Sequence, residues 1–201
     1  MKRFFQEGAF AWRQPHELPN RAFVCGFCNT TVSSVKGYKL GQNGDGSGVQ
    51  VGASYLCPNC GGPVFFAPDN IQYPSPALGQ GVQHLPDGLN ALFEESRRCT
   101  AQNCYTAAVL LCRKMLMNIA VQENAPEGLK FVEYVTFLAD KGYVPPNGKH
   151  WVDHIRKKGN EATHEITVMT EVDAKELLSF VEMLLRFVYE FPSMIPKPAG
   201  G

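Results

Sequence analysis

The chain lacks an excess of charge of either sign: its 201 residues hold 19 Lys and Arg against 19 Asp and Glu. That balance argues against the broad basic field that bulk binding to nucleic acid or to a membrane surface leaves in a sequence, though a local patch remains open. It also lacks a long apolar run. The longest, Ala107 to Val121, is broken by Arg113 and Lys114, whereas a membrane-spanning helix needs about 20 apolar residues. The opening stretch MKRFFQEGAFAWRQPHELPN has basic residues but no apolar run behind them, so no signal-peptide core is expected. There is no internal repeat and no low-complexity tract. The expectation is a cytoplasmic protein with no membrane segment.

What the chain does have is cysteine, seven in all. An odd number sits poorly with a secreted disulfide framework and points to reduced thiols and metal chemistry. Four of them form two C-x-x-C pairs, Cys25-Gly-Phe-Cys28 and Cys57-Pro-Asn-Cys60, and Cys99, Cys104 and Cys112 lie in a helical region.

Composition divides the chain into residues 1–66, which hold both pairs, a stretch 67–86 with Pro68, Pro74, Pro76 and Pro86, residues 87–192, which are helical by pattern, and a tail 193–201. The second stretch reads as an extended linker and the tail as flexible. In the first region TTVSSVKGYKL, VQVGASYL and PVFF read as three short strands, with the glycine-rich GQNGDGSG as a hairpin loop. In the helical region five helices are expected: about 86–101, 104–123, 128–141, 148–164 and 170–191. The second is apolar almost all round, which marks a central helix. Gly142 suits the end of the third. Thr170 and Asp173 suit a capping box on the fifth, which should stop at Pro192. Leu177, Val181, Leu184, Leu185 and Val188 form the inner stripe of that fifth helix. The fold class is α+β, a small zinc ribbon of antiparallel strands followed by an antiparallel helical bundle.

The two C-x-x-C pairs read as one structural zinc site with Cys25, Cys28, Cys57 and Cys60 as ligands. A C-x-x-C turn presents two thiolates on one side of a tight loop, and two such turns fill a tetrahedral shell with no open position for water or substrate. A redox C-x-x-C normally begins a helix in a βαβ setting, whereas strands and turns flank both pairs here. Four thiolates also suit iron. A ribbon of about 45 residues has too little core to fold alone, and zinc would supply on the order of 10 kcal/mol.

The helical segment HWVDHIRKKGNEATHE, residues 150–165, collects polar groups. His150, His154, Lys157, Glu161 and His164 recur at helical spacing as one stripe, and Arg156, Asn160 and His164 are each four apart. Such a stripe is either a binding face or solvated surface. Arg113, inside the apolar second helix, reads as a buried charge whose carboxylate partner is Glu95 or Glu165. Phe180, Phe187 and Phe191 form a stripe beside the inner one, suited to self-association.

Three segments, FEESRRCTAQNCYTAAVLLCRKML, IRKKGNEATHE and VDAKELLSFVEMLLRFVYEFP, make the chain resemble the domain of unknown function 4145 family over about residues 86–191. Glu95, the Ala107-Ala108 helix leading to Arg113, and Gly159-Asn160 with His164-Glu165 carry the resemblance. It implies a prokaryotic setting, including restriction and defence systems, sometimes behind a zinc ribbon. It also implies similarity to the HEPN (higher eukaryotes and prokaryotes nucleotide-binding) superfamily of helical bundles. Those are often homodimers through the helical domain, and many are metal-independent ribonucleases with an R-x4–6-H signature. By that likeness His164 would be the general base, Asn160 the polar neighbour, and Arg156 or Lys157 the cation on the phosphate, with His154 and Arg113 as further binding residues. The sequence departs from the signature at Gly159, where an active nuclease carries arginine. The reading favoured by that departure is a non-catalytic module that recognises RNA, DNA or a protein partner. A ribonuclease with a displaced cation and a structural oligomerisation domain are the alternatives.

Overall fold

In the computed structural model the described residues are 11–45, 47–144, 153–155, 157 and 168–194. The chain divides into two compact units, Met1–Ala77 and Leu78–Gly201.

The first unit is an antiparallel sheet in which each strand pairs with the next: β1 (His16–Val24), β2 (Thr31–Gly41), β3 (Gln50–Leu56), β4 (Pro63–Phe66) and β5 (Gln72–Tyr73). The three strands expected from sequence are β2, β3 and β4. β1 and β5 escape the pattern for physical reasons. β1 contains Pro19-Asn20, poor strand residues, and absorbs them in a register shift between Glu17 and Arg21; such an irregularity is tolerated on an edge strand. β5 is two residues long and lies within the proline-rich stretch read as linker, where it pairs with Phe65 and Phe66. Alternate positions point inward, so Leu18, Phe23, Ala53, Tyr55, Val64 and Phe66 are buried with three of the cysteines. The rings of Phe23, Tyr55 and Phe66 meet one another at centroid distances of 6.2, 5.5 and 5.8 Å. The Arg21 guanidinium lies 3.6 Å from the Phe66 centroid, a stacking contact that lets the charge cover the ring.

The second unit is helical. Its elements are α1 (Asp87–Ala101), α2 (Tyr105–Gln122), α3 (Phe131–Asp140) and α4 (Glu171–Leu185), the last continuing through a π-helical turn (Arg186–Glu190) into α5 (Phe191–Met194). Asp153, His154, Ile155 and Lys157 are also helical. Helix α2 packs against α1, α3 and α4. Its buried residues, Ala108, Val109, Cys112, Met115, Leu116, Ile119 and Ala120, lie on more than one face, as a central helix requires. Leu177, Val181, Leu184 and Leu185 of α4 are fully buried against the same core.

The first three helices stop in the same way. Asn103, Asn124 and Gly142 take left-handed φ values of 61°, 72° and 83° one residue past the C-cap. The next amide reaches back to the third-last helical carbonyl in each case: Cys104 to Cys99 at 2.8 Å, Ala125 to Ala120 at 2.9 Å, Tyr143 to Leu138 at 3.0 Å. These are Schellman ends, and asparagine supplies the left-handed residue twice. At the start of α4 the Asp173 amide donates to Thr170 Oγ1 at 3.2 Å, and the Thr170 amide donates to Asp173 Oδ2 at 2.9 Å, which is the expected capping box.

Two expectations are corrected. Arg113 is only half-buried, with its guanidinium 4.4 Å from the Phe131 centroid, and Glu95 is exposed; Glu165 lies outside the described residues. Among the described residues the arginine that is buried, at 3% exposure, is Arg97. It donates to Glu94 at 2.6 Å and to the carbonyls of Leu78 and Gly79 at 2.7 and 2.8 Å. Phe180, expected on an outer stripe, is fully buried.

Arg97 therefore pins residues 78 and 79 to α1. Glu182 holds the same segment from α4 by accepting the Gln80 amide at 3.4 Å, and a Cβ at Gly79, whose φ is +68°, would stand 2.2 Å from the Glu182 carboxylate. Glycine suits that left-handed conformation, and any side chain there would have to push the Glu182 carboxylate aside. Glu190, also buried, accepts the Gln83 amide at 2.8 Å and Arg186 at 2.6 Å. Removing a buried charge that serves three acceptors strands their lone pairs, so Arg97→Met should destabilise the helical unit by about 3 kcal/mol. Arg113→Met removes a charge that is only half-buried and leaves the apolar stem's packing largely in place, so it should cost less, about 1 kcal/mol. Urea unfolding of the two variants checks the order; an Arg113 effect larger than that of Arg97 would overturn it.

Candidate metal centre

The four cysteines of the first unit converge. The Sγ atoms of Cys25, Cys28, Cys57 and Cys60 all lie within 4.8 Å of one another. The closest approaches cross between the pairs: Cys25 to Cys60 at 3.7 Å and Cys28 to Cys57 at 3.8 Å. Four sulfurs about 2.3 Å from a central ion in a tetrahedron stand ~3.8 Å apart. The spacing thus fits a tetrahedral thiolate shell. Among the described residues this is the one cluster of three or more potential metal ligands.

Each pair is held by the same local turn. In the first, the Asn29 amide donates to the Cys25 carbonyl at 2.7 Å and the Cys25 amide to the Thr30 carbonyl at 3.0 Å. In the second, the Gly61 amide donates to the Cys57 carbonyl at 2.8 Å and the Cys57 amide to the Gly62 carbonyl at 2.9 Å. The residue after the second cysteine must be left-handed, and Asn29 (φ 54°) and Gly61 (φ 72°) both are. The turns sit at the ends of β1 and β3, so strand pairing brings two turns about 30 residues apart in the chain face to face.

Hydrogen bonds aim at the sulfurs from outside. The Phe27 amide points at Cys25 Sγ at 3.4 Å, and the Asn59 side-chain amide at Cys28 Sγ at 3.5 Å and Thr30 Oγ1 at 3.1 Å. Such donors favour thiolate over thiol. The Trp12 indole N–H donates to the Gly61 carbonyl at 2.8 Å and buttresses the second turn. Burial pushes the Cys25 thiol up to about 11 and the Cys60 thiol higher still. At Cys28 burial also pushes up, but hydrogen bonds from Thr30 and Asn59 outweigh it and bring the group down to about 6. One thiolate is thus preformed to receive a cation, and two neighbours give up their protons only to one.

The other candidate residues are distributed differently. His154 and Lys157 are helical, and Lys157 is exposed. His154 Nε2 stands 2.6 Å from Glu176 Oε2 on α4, with both side chains half-exposed. His164, Asn160 and Arg156, with His150 and Gly159, lie outside the described residues. Arg113 belongs to the helical unit and lies over Phe131. Sequence reasoning missed Trp12 and Asn59 as supports of the cysteine turns; Asn59 was visible as the polar x of C-P-N-C, while Trp12 carries no local signal.

The architecture is α+β, a small antiparallel sheet carrying a four-cysteine cluster that could hold a metal ion, together with a helical domain. Residues 94–196 match the family described as Domain of unknown function (DUF4145), and the chain belongs to that family. No match was found among curated proteins or among solved structures. Among the described residues no helix is long and apolar enough to cross a membrane.

Metal binding must displace the protons of at least Cys25 and Cys60, so affinity falls as pH falls. Near neutrality the loss should be at least ~100-fold per pH unit, steepening below about pH 6 where Cys28 is protonated too. Competition with a chromophoric chelator across pH measures this, and a flat profile would remove the thiols as ligands.

Proposed function

We propose that the protein is a zinc-stabilised, non-catalytic binding module, with one structural Zn2+ held by Cys25, Cys28, Cys57 and Cys60 and a HEPN-like helical domain that self-associates. The observation that carries this reading is the closed four-thiol site with a groove beside it. A metal with four protein ligands has no position for substrate or activated water, so its contribution is to hold a surface in shape. That surface includes a groove of about 580 Å³ next to the second cysteine turn, lined among others by Trp12, Val35, Lys36, Leu56, Pro58 and Asn59. Trp12 and Val35 are large apolar residues left exposed there. One cation among apolar and neutral polar walls suits a protein segment better than a nucleic-acid backbone, which calls for several.

The favoured metal is zinc. Elemental analysis of the purified protein should give one zinc per chain, and Cys57→Ser should lose it together with the fold of the sheet. Iron in its place would change the metal but not the closed shell.

The helical domain supports binding over cleavage by its sequence at Gly159, where a nuclease of the superfamily places arginine. Lysine at 157 supplies charge without the planar fork that grips phosphate twice. The full-length protein should therefore leave single-stranded RNA intact without added metal. Metal-independent cleavage, lost in His164→Ala and in Arg156→Ala, would replace the binding module with a ribonuclease, since a general base is worth about a hundred- to ten-thousand-fold in rate.

Homodimerisation is proposed through the C-terminal helix. Phe187, Phe191 and Met194 are 47%, 41% and 64% exposed, and the two phenylalanine rings meet edge to face at 5.3 Å. They border a groove with Ser179, Met183 and Arg186. Paired aromatics left in water are the usual centre of an interface. Sedimentation should give a dimer at micromolar concentration, and Phe187→Ser combined with Phe191→Ser should give a monomer of unchanged helical content. A monomeric wild type would refute the interface.

A further inference from the structure

The three cysteines outside the metal cluster gather at the corner between α1 and α2. Cys99 is the third-last residue of α1 and Cys104 the residue before α2. The Schellman end of α1 joins them directly, the Cys104 amide donating to the Cys99 carbonyl at 2.8 Å, with Asn103 in the left-handed conformation between them. This bond limits the separation of their Cα atoms. Standard lengths from Cα to carbonyl oxygen and from nitrogen to Cα, added to the hydrogen bond, allow no more than ~6.7 Å. A disulfide spans Cα separations of about 4.4–6.8 Å. In this motif the side chains of these two positions usually pack together. Cys104 is exposed, Cys99 half-buried and Cys112 fully buried.

We propose that Cys99 and Cys104 are a reversible oxidation site, an intrachain disulfide pair that takes peroxide as its oxidant. Cys104, the exposed thiol, is the attacking group. Its thiolate displaces hydroxide from hydrogen peroxide: the S–O bond forms, the O–O bond breaks, and a sulfenic acid results. The Cys99 thiolate then attacks that sulfur. The S–S bond forms, the S–O bond breaks, and the departing hydroxide takes a proton to leave as water. Two thiols and one peroxide become one disulfide and two waters, the sulfurs being oxidised and the peroxide reduced. To form the bond, the Cys104 side chain must turn away from the Gln102 carbonyl, its present neighbour at 3.6 Å.

Burial, with the Cys104 charge next in weight, pushes the Cys99 thiol up. The two sulfurs therefore feel each other, and Cys99 waits as the slower, resolving partner. Burial pushes Cys112 up to about 12 and removes it from solvent, so peroxide does not reach it first.

The test uses the metal-loaded full-length protein, treated with hydrogen peroxide and then alkylated. Trypsin and chymotrypsin together release Cys99–Tyr105, which holds both thiols but not Cys112. The expected product is that peptide lighter by two hydrogens and unalkylated, restored by a dithiol reductant. In Cys99→Ser the reaction should stop at sulfenic acid on Cys104, trapped by a dimedone reagent, and in Cys104→Ser the Cys99 thiol should remain alkylatable. Overoxidised Cys104 beside a free Cys99 in the wild type, or a disulfide from either residue to any other cysteine, would overturn the proposal. Because each single variant has its own expected product, a folding defect in one leaves the wild type and the other to decide.

Discussion

The sheet unit depends on four sulfur atoms meeting at one point. Its core is a handful of side chains: Leu18, Phe23, Ala53, Tyr55, Val64, Phe66 and three of the cysteines themselves. A core of that size cannot offset the entropy of ordering the strands, about 1–2 kcal/mol per residue for the backbone alone. The crosswise approach of Cys25 to Cys60 and of Cys28 to Cys57 fastens the end of β1 to the end of β3. With a metal in that shell, the binding free energy becomes folding free energy. Without one, a cluster in which burial pushes the Cys25 thiol up and hydrogen bonds bring Cys28 down would have little to hold it together. The groove beside Pro58 lies next to that point of attachment.

The helical unit relies on ordinary burial, but its polar interior is selective. Arg97, Glu182 and Glu190 do not merely pair with other side chains; they also bond backbone groups of residues 78–83. A chain segment with almost no regular structure must place its amides and carbonyls somewhere. Here buried or half-buried charges of α1, of α4 and of the α4 extension receive them. Val82 drops into the helical core within the same segment. The proline-rich composition around it encodes an extended conformation, and the charged partners decide where that extended chain lies.

What the sequence reveals here divides along physical lines. The cysteine cluster was legible because a tetrahedral shell fixes spacing at the level of single residues, and the paired C-x-x-C turns carry that spacing. Helices α1, α2 and α3 and the Thr170 cap followed from the 3.6-residue period and from capping chemistry, both local. β1 was not legible, because its strand character comes from pairing with β2 and not from its own residues. Asn103 and Asn124 hid as stop signals, since asparagine is also common in ordinary loops. The exchange of Arg97 for Arg113 shows the limit of composition. Arg113 sits among apolar neighbours in sequence, yet an arginine at the margin of a helix face can lay its stem along that face and keep its head near the surface. Arg97, between Ser96 and Arg98 and just after Glu94 and Glu95, looked like surface and is instead where a bonded backbone awaited a donor.

The end of α4 shows how one local irregularity changes what a stripe means. The sequence pattern groups Phe191 with the outer stripe, yet strictly regular spacing beyond the inner positions Leu177, Val181, Leu184, Leu185 and Val188 would turn it toward the core. The helix does not keep that spacing. Pro192 has no N–H to give to the carbonyl four residues back, and its ring crowds that carbonyl. The turn just before it, Arg186–Glu190, is π-helical, and the Phe191 amide reaches back to Arg186. One added residue per turn rotates everything beyond it by roughly 100°. Glu190 swings inward, where Arg186 and the Gln83 amide receive its carboxylate. Phe191 swings outward to join Phe187 at the surface. The buried carboxylate and the exposed aromatic pair are thus two results of one register change, and a variant that restored regular spacing there would have to bury the phenylalanine and expel the glutamate together.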